Sequence, residues 1–553
     1  MPVQTTNSTN IASHLPAMAT LRGEVPAVVV PVGGSHYEQW TYGQLDAESD
    51  VLMRGLAHYG ICPGMRTVLM VTPGLDFFAL TFALFKLGAV PVLIDPGMGL
   101  SSLGTCLSEA EPEAFIGIPK AHLARRLFRW ARRTIRIRIA AGPRFAIGMT
   151  ALDQVRRAGR AAPRRDIYEP GPEETAAILF TSGSTGPPKG AVYTHAVFNA
   201  QIRMLKELYG IEPGEIDLCT FPLFALFAPA LGMTAIVPRM DFTRPGRVDP
   251  ANIFDPIRRF GVTNLFGSPA LIDRVGRAGA EQGVELPTVR RVISAGAPVS
   301  AAVIERFVQL LSPPAQLFTP YGATEALPVC SIGSNEILGD TRNQTDLGQG
   351  VCVGKPAPGV SVNIIGINDE PIHNWSDDLK LPAGEIGEIV VKGPAVSKAY
   401  YNRPDATALA KIAGAGPADF RHRMGDLGYV DGQDRLWMCG RKSHRVVTGH
   451  GTLFTVPCEA VFNTHPDVFR TALVGVGKPG SARSVLCVEL EKHASSIDQA
   501  ELRRELLESG QTQPHTKAIR DILFCTRPFP VDIRHNAKIG REKLAHWASK
   551  RLR

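Results

Sequence analysis

One stretch concentrates groups that hold anions: Thr181-Ser-Gly-Ser-Thr-Gly-Pro-Pro-Lys-Gly190. It carries four hydroxyls (Thr181, Ser182, Ser184, Thr185) and the ammonium of Lys189. Gly183, Gly186 and Gly190 remove side chains where backbone N–H groups would have to approach an anion. An apolar run, residues 176–180, precedes the loop and reads as a buried strand, and helical spacing follows at 194–208. A strand, a hydroxyl-rich loop and a helix in that order suit a polyphosphate. The loop does not end in the Gly-Lys-Ser/Thr of a Walker A motif, and Gly-x-Gly-x-x-Gly is absent from it. The plainer reading is a solvated Ser/Gly linker, but such a linker does not normally follow a buried strand directly and enclose a lysine.

Other residues could complete a nucleotide site. In Tyr321-Gly-Ala-Thr-Glu325, at the end of an expected strand, Tyr321 offers a ring to a base, Thr324 a hydroxyl to a phosphate and Glu325 a hard oxygen to Mg²⁺. Alone, this motif would be a helix start with an acidic first turn. Gly425-Asp-Leu-Gly428 and Gly440-Arg-Lys442 flank a hairpin turn at Asp431-Gly432. A carboxylate such as Asp426 can take two hydroxyls at once, and Arg441 can reach a ribose or a phosphate. Singly, they would be a turn aspartate and a surface arginine. Lys538, in Asn536-Ala-Lys-Ile-Gly-Arg541, would by itself be a solvated lysine.

The elements that must position these residues alternate. Strands expected at 67–71 and 90–94 flank a helix at 75–87. After the loop come a helix at 253–260, a strand at 264–266, a helix at 271–277, a strand at 291–294 ending in Ala295-Gly-Ala-Pro298, a helix at 301–311 and a strand at 316–318. That order indicates a parallel sheet with crossover helices. Beyond Gly350, short strands with frequent turns point to a small β-rich subdomain, and from His444 onward the pattern is a compact α/β unit.

The chain has 553 residues, 44% of them hydrophobic and 20% charged, as in an ordinary globular protein of several units. Its nine scattered cysteines form no Cys-x-x-Cys or Cys/His cluster, which argues for reduced thiols in a cytoplasm and against a zinc site. No signal peptide is evident at the N-terminus. Residues 218–238 are uncharged, but Pro222, Pro229 and Gly232 interrupt them; they read as buried core rather than a membrane span. Part of the net charge of +8 lies at 120–138, where Leu123, Leu127, Phe128 and Trp130 interleave with arginines. The segment 121–133 reads either as a solvated basic helix or as a docking surface for an anionic membrane or an acidic partner. No nucleic-acid recognition motif is present.

The loop at 181–190 resembles the phosphate loop of the adenylate-forming superfamily of acyl-CoA synthetases, adenylation domains and luciferases, and the resemblance extends over about Trp40 to Trp547. It implies an α/β fold: a large N-terminal domain (1–442) of parallel α/β sheets with the β-rich subdomain, and a small α+β C-terminal lid (443–553). It further implies ATP and Mg²⁺, with adenine held by Tyr321, Gly322 and the Gly296-Ala297-Pro298 loop, metal by Glu325, and ribose by Asp426 and Arg441. Lys538 matches the lysine that bridges carboxylate and α-phosphate, although Ala537 replaces a usual glycine. The acyl pocket would use Phe224, Ala225 and Gly267.

Three departures from the common pattern narrow the expectation. Phe221-Pro-Leu-Phe-Ala225 ends in a small residue where the family usually has an aromatic or histidine. Ser443 replaces the usual hinge Asp or Lys. The loop Thr448-Gly-His-Gly-Thr-Leu-Phe-Thr-Val-Pro457 is two residues longer than usual and lacks the Glu-Asn pair, which weakens the case for CoA. With His535-Asn-Ala-Lys538, this profile is similar to the olefin-pathway β-lactone synthetases. That branch implies a long-chain 2-alkyl-3-hydroxy acid as substrate, a β-lactone as product, and a β-lactone decarboxylase and a ketoacid reductase as pathway neighbours. An ordinary long-chain acyl-CoA or acyl-carrier ligase is the alternative. His195 is a candidate base for the lactone step, although a histidine at a helix start is more often structural.

Overall fold

The computed structural model describes residues 9–34, 36–95, 98–142, 148–181, 187–416, 418–494, 497–531 and 539–552, without the side chains of Thr181, Leu223 and Lys492. Ser182, Gly183, Ser184, Thr185, Gly186 and Lys538 lie outside the described residues.

Two sheets sandwich a shared core. The seven-stranded sheet runs Thr150–Ala151, Ile137–Ala140, Ala114–Gly117, Arg66–Met70, Val90–Leu93, Thr175–Thr181, Lys189–Thr194. Its pairs are parallel except the last. Val90–Leu93 and Ala114–Gly117 are buried at every position, which is why they read as unbroken apolar runs. Helix Leu75–Leu87 is buried almost throughout. It packs into one apolar cluster with Val28 and Ala235 of the second sheet and with Ile116 and Ile139 of the first, so it has no face left for water.

The second sheet has fourteen strands. Pro26–Gly33, Thr234–Ile236, Ile216–Cys219, Asn264–Gly267, Arg291–Ser294 and Gln316–Ala323 form its parallel part. It continues antiparallel through Ala326–Gly333, Val351–Pro356, Leu436–Arg441, Phe420–Val430, Gly387–Lys392 and Ser361–Ile365. The expected β-rich part is therefore joined to the parallel part by an unbroken ladder. Residues 218–238 are core as expected: two short helices between two strands, mostly buried. No helix among the described residues is long and apolar enough to cross a membrane.

One local expectation differs. The segment after the phosphate loop does not pass directly into a helix; Lys189–Thr194 first pairs antiparallel with Thr175–Thr181, and helix His195–Tyr209 follows. Gly190 and Ala191 carry little strand propensity, so pairing with a buried neighbour decides their conformation. Tyr321-Gly-Ala-Thr-Glu325 lies at a strand end as expected and does not begin a helix. It is the tip of a tight hairpin in which Ala323 faces Ala326.

From Val446 onward the chain builds a three-stranded sheet, Val468–Val476, Arg483–Leu490 and Asp521–Phe524, with helices Thr455–Phe462, Gln499–Gln511 and Arg541–Ser549. Its two apolar clusters draw only on residues 446 and beyond. Polar groups meet across its border with the rest, among them His444 Nε2 and Glu542 Oε1, 3.5 Å apart. The remodelled loop after the hinge is a small hairpin of Val446–Thr448 and Gly451–Leu453.

Gly354 joins the two parts of the large sheet. It sits at a register shift with φ of +84°, and a Cβ there would lie 2.1 Å from the Ser331 carbonyl oxygen. Gly354→Ala should cost about 1–3 kcal/mol through strain and overpacking. The thermal-unfolding midpoint should fall; an unchanged midpoint would mean the close approach imposes no constraint.

Candidate active site

Asp426 lies in strand Phe420–Val430 and Arg441 in Leu436–Arg441, and the register places them opposite each other. Asp426 Oδ1 is 3.0 Å from Arg441 Nε. The Tyr321 hydroxyl donates to Asp426 Oδ2 at 2.7 Å. Burial, then the Asp426 charge, pushes the Tyr321 phenol well above its usual range, so the tyrosine stays a donor. The Asp426 carboxylate also raises Arg441. Oδ1, although close to the guanidinium, is buried and has no hydrogen bond of good geometry. It keeps the capacity to accept from hydroxyls.

The hairpin tip places Glu325 beside this group. The Tyr400 hydroxyl donates to Glu325 Oε1 at 2.5 Å. The Tyr193 hydroxyl donates to the Thr324 carbonyl at 2.5 Å. Lys189 Nζ sits 5.1 Å from the centre of the Tyr400 ring, which ties the start of the phosphate-loop hairpin to Glu325. Gly322 is held tightly, since a Cβ there would lie 2.6 Å from the Ala326 carbonyl oxygen. Ser294, at the end of its strand, is 1% exposed, and its hydroxyl has no partner. It precedes Gly296-Ala297-Pro298, where Gly296 has φ of +101°.

These residues fit a nucleotide with a divalent cation. Asp426 Oδ1 and Ser294 Oγ are each buried without a hydrogen-bond partner, so both can still accept. One carboxylate, Glu325, is available for a cation, and no group of three or more His, Cys, Asp and Glu among the described residues could hold a metal alone. Mg²⁺ commonly takes one or two carboxylates and completes its shell with water and substrate phosphates, which suits such a sparse donor set.

Phe224 belongs to an aromatic wall. Its ring lies 4.6 Å from Phe266, 5.2 Å from Phe221 and 6.4 Å from Phe227. Phe227 continues to Phe198 at 6.2 Å, and Phe198 to Tyr193 at 4.9 Å. A row of rings thus runs from the Thr324 carbonyl into the apolar interior. Gly267 follows Phe266, and a Cβ there would meet Ile272 Cδ1 at 2.9 Å. Ala225 is 2% exposed and buried in the core beside this wall.

His195 is not brought to this cluster. Its Nδ1 accepts the Ile11 N–H at 3.2 Å, its ring edge faces Phe85, and burial lowers its pKa to about 4. An imidazole so placed is a core residue under the N-terminal segment, and it is too weak a base to take a proton near neutrality. The expectation that it acts as base is corrected accordingly.

Sequence reasoning missed Tyr400, Lys411 and His422. Lys411 Nζ donates to the Ser397 carbonyl, and the Ser397 N–H donates to the Glu325 carbonyl at 2.8 Å. Burial lowers Lys411 to about 7. His422, 2% exposed, lies four residues before Asp426 in the same strand, and burial holds its pKa well below the ordinary value. The sequence signal for His422 was its place in the Asp426 strand; Tyr400 has none, since only the fold brings it to Glu325.

Residues 17–401 match the AMP-binding enzyme family. The chain is 49% identical over 549 residues to an olefin beta-lactone synthetase of Xanthomonas campestris pv. campestris, covering 98% of this chain and 97% of the relative. It is 50% identical over 554 residues to an olefin beta-lactone synthetase of Stenotrophomonas maltophilia, covering 98% of each. Among solved structures, the amide bond synthetase McbA from Marinactinospora thermotolerans has the same fold, with a TM-score of 0.77 at 22% identity over 98% of this chain and 99% of that one. The chain belongs to the AMP-binding enzyme family, on the branch that holds the olefin beta-lactone synthetases.

Proposed function

We propose that this AMP-forming ligase activates a long-chain 2-alkyl-3-hydroxy acid with MgATP and closes it to a β-lactone. The observation that carries the reading is the near-half identity to olefin beta-lactone synthetases over almost the whole chain. In this reading the carboxylate oxygen attacks the α-phosphorus, pyrophosphate leaves, and an acyl-adenylate forms. The 3-hydroxyl oxygen then attacks the activated carbonyl carbon, AMP leaves, and the hydroxyl proton passes to a base or solvent.

Each residue has a part in the proposal. Asp426 grips the ribose hydroxyls and Arg441 steadies that carboxylate. Tyr321, Gly322 and the Gly296–Pro298 loop hold adenine. Thr181, Ser182, Gly183, Ser184, Thr185, Gly186 and Lys189 cradle the phosphates with Thr324. Mg²⁺, bound at Glu325, supplies charge neutralisation on the phosphates. Tyr400 holds that carboxylate by hydrogen bond. Lys538, from a C-terminal lid of residues 443–553, faces the charge that develops on phosphorus. The aromatic wall of Phe221, Phe224 and Phe266 takes the alkyl chains and keeps water from the adenylate. Both steps need positioning and charge neutralisation, with no side-chain nucleophile. The enzyme would act in the cytoplasm, between a reductase that makes the hydroxy acid from a ketoacid and a decarboxylase that consumes the lactone.

The deciding experiment incubates purified protein with MgATP and a long-chain 2-alkyl-3-hydroxy acid, with and without CoA. A β-lactone and AMP should form without CoA; a thioester formed only with CoA would make this an acyl-CoA ligase and sink the lactone reading. Two variants separate the roles. Lys538→Ala should lower kcat by orders of magnitude with the KM for ATP little changed, because its charge acts in the transition state. Asp426→Asn should instead raise the KM for ATP about ten-fold or more, the worth of one charge-assisted hydrogen bond. Steady-state kinetics on both variants checks this, and the opposite split would reverse the two assignments.

A further inference from the structure

The basic segment expected at 121–133 is a helix, Pro119–Leu127, followed by a turn region and strand Ile137–Ala140. His122 fixes its rotation: the imidazole is buried, its Nε2–H donates to the Ile139 carbonyl at 2.9 Å, and its ring lies 4.9 Å from Phe115. With that side anchored to the sheet, the other side faces water. Leu123 is 67% exposed, Leu127 71% and Phe128 47%. Three of the ten large apolar side chains exposed among the described residues thus fall within six residues of sequence. A solvated helix face has no use for such a cluster.

Charge surrounds it. Residues 114–152 contain nine Lys and Arg and no Asp or Glu. Arg126, Arg129, Arg132 and Arg133 are exposed, and none forms an ion pair among the described residues. An open groove of about 1030 Å³ adjoins the patch, lined by Leu100, Phe128 and Trp130 and, on its other side, by Glu111 and the ion pair of Arg403 with Glu109.

We infer that this face docks the protein on an anionic lipid membrane, with Leu123, Leu127 and Phe128 entering the headgroup–acyl boundary and the arginines on lipid phosphates. Two features choose a bilayer over an acidic protein. The arginines span helix, turn and strand without the fixed spacing a single acidic motif would need. The apolar residues also project from among the charges, the arrangement of an interfacial helix. The inference gains sense from the proposed long-chain substrate, which partitions into bilayers, but binding is measured without turnover, so its failure would leave the catalytic reading untouched.

The test is sedimentation of the full-length protein with sucrose-loaded vesicles, either pure phosphatidylcholine or phosphatidylcholine with phosphatidylglycerol, at low and high salt. The wild type should sediment with the anionic vesicles only, and less so at high salt. The combined variant Arg126→Glu, Arg132→Glu, Arg133→Glu should lose at least about ten-fold in binding. Leu123→Gln with Leu127→Gln should weaken binding at both salt concentrations while keeping the wild-type thermal midpoint and ATP-dependent pyrophosphate release. A wild type that sediments with neither vesicle, as a solvated face or a site for an acidic protein would give, overturns the inference. So does anionic-vesicle binding that both variants retain.

Discussion

A carboxylate removed from water needs partners, and Asp426 meets that demand in a way that determines how the candidate site is built. At 3% exposure its desolvation costs several kcal/mol unless opposite charge and donors repay it. Arg441 stands across the strand pair and supplies the charge. Tyr321 supplies the hydroxyl from another segment of the same sheet, 105 residues earlier. Meeting both requires that the antiparallel strands at 420–441 be locked in register with the parallel strands ending at 323. The continuous ladder through Ala326–Gly333 and Val351–Pro356 does this, with Gly354 allowing the two backbones to close. The same ladder brings Tyr400 to Glu325, because the loop carrying Tyr400 bridges to Ala191 and the residues before it bridge to Ala326.

The seven-stranded sheet enters through the hairpin at Lys189. Helices Leu75–Leu87 and His195–Tyr209 lie in the core shared by the two sheets, so the phosphate-loop strands cannot shift against the Tyr321 strands without disturbing a close-packed interior. Precise placement of polar groups at the rim thus rests on apolar packing some distance beneath it. Tyr193 shows the coupling within one residue: its ring packs on Phe198 in the core, and its hydroxyl holds the Thr324 carbonyl.

What the sequence made legible follows from this. Helix Leu75–Leu87 and strand Arg291–Ser294 match their expected bounds, the helix because burial almost throughout leaves it mostly apolar and the strand because it falls in its place in the strand–helix alternation. Asp426, Arg441, Tyr321 and Glu325 could be named because their short motifs carry Gly and turn residues with few other uses. The hairpin strand Lys189–Thr194 was hidden, since it opens with Lys-Gly-Ala, which carries little strand propensity, directly after a Gly- and Ser-rich loop. Tyr400 was hidden because it meets Glu325 only through a fold that crosses 75 residues of chain, and Lys411 because it reaches that segment only by way of the Ser397 carbonyl. His195 shows the converse error. Its position after a reactive-looking loop suggested chemistry, whereas its ring completes the packing under residues 10–12.

The proposed chemistry also explains why the segment after the hinge can depart from the common pattern. An acyl-adenylate that passes its acyl group to a second substrate needs a channel for that substrate, so the loop lining it is constrained. A 3-hydroxyl already tethered two carbons from the activated carbonyl carries its own effective concentration, far above any free thiol. Its attack asks the protein only to hold one rotamer of the chain and to exclude water. The aromatic wall running inward from Thr324 has the character for both, being apolar and built from close-packed rings. With the channel unnecessary, residues 446–453 are free to close into a hairpin, Thr448 accepting the His450 N–H and donating to the Gly451 carbonyl. In the proposed reading the absence of the Glu-Asn pair and the presence of Asp426, Arg441, Glu325 and Lys538 fit one scheme: adenylation needs the four residues, and an intramolecular transfer does not need the pair.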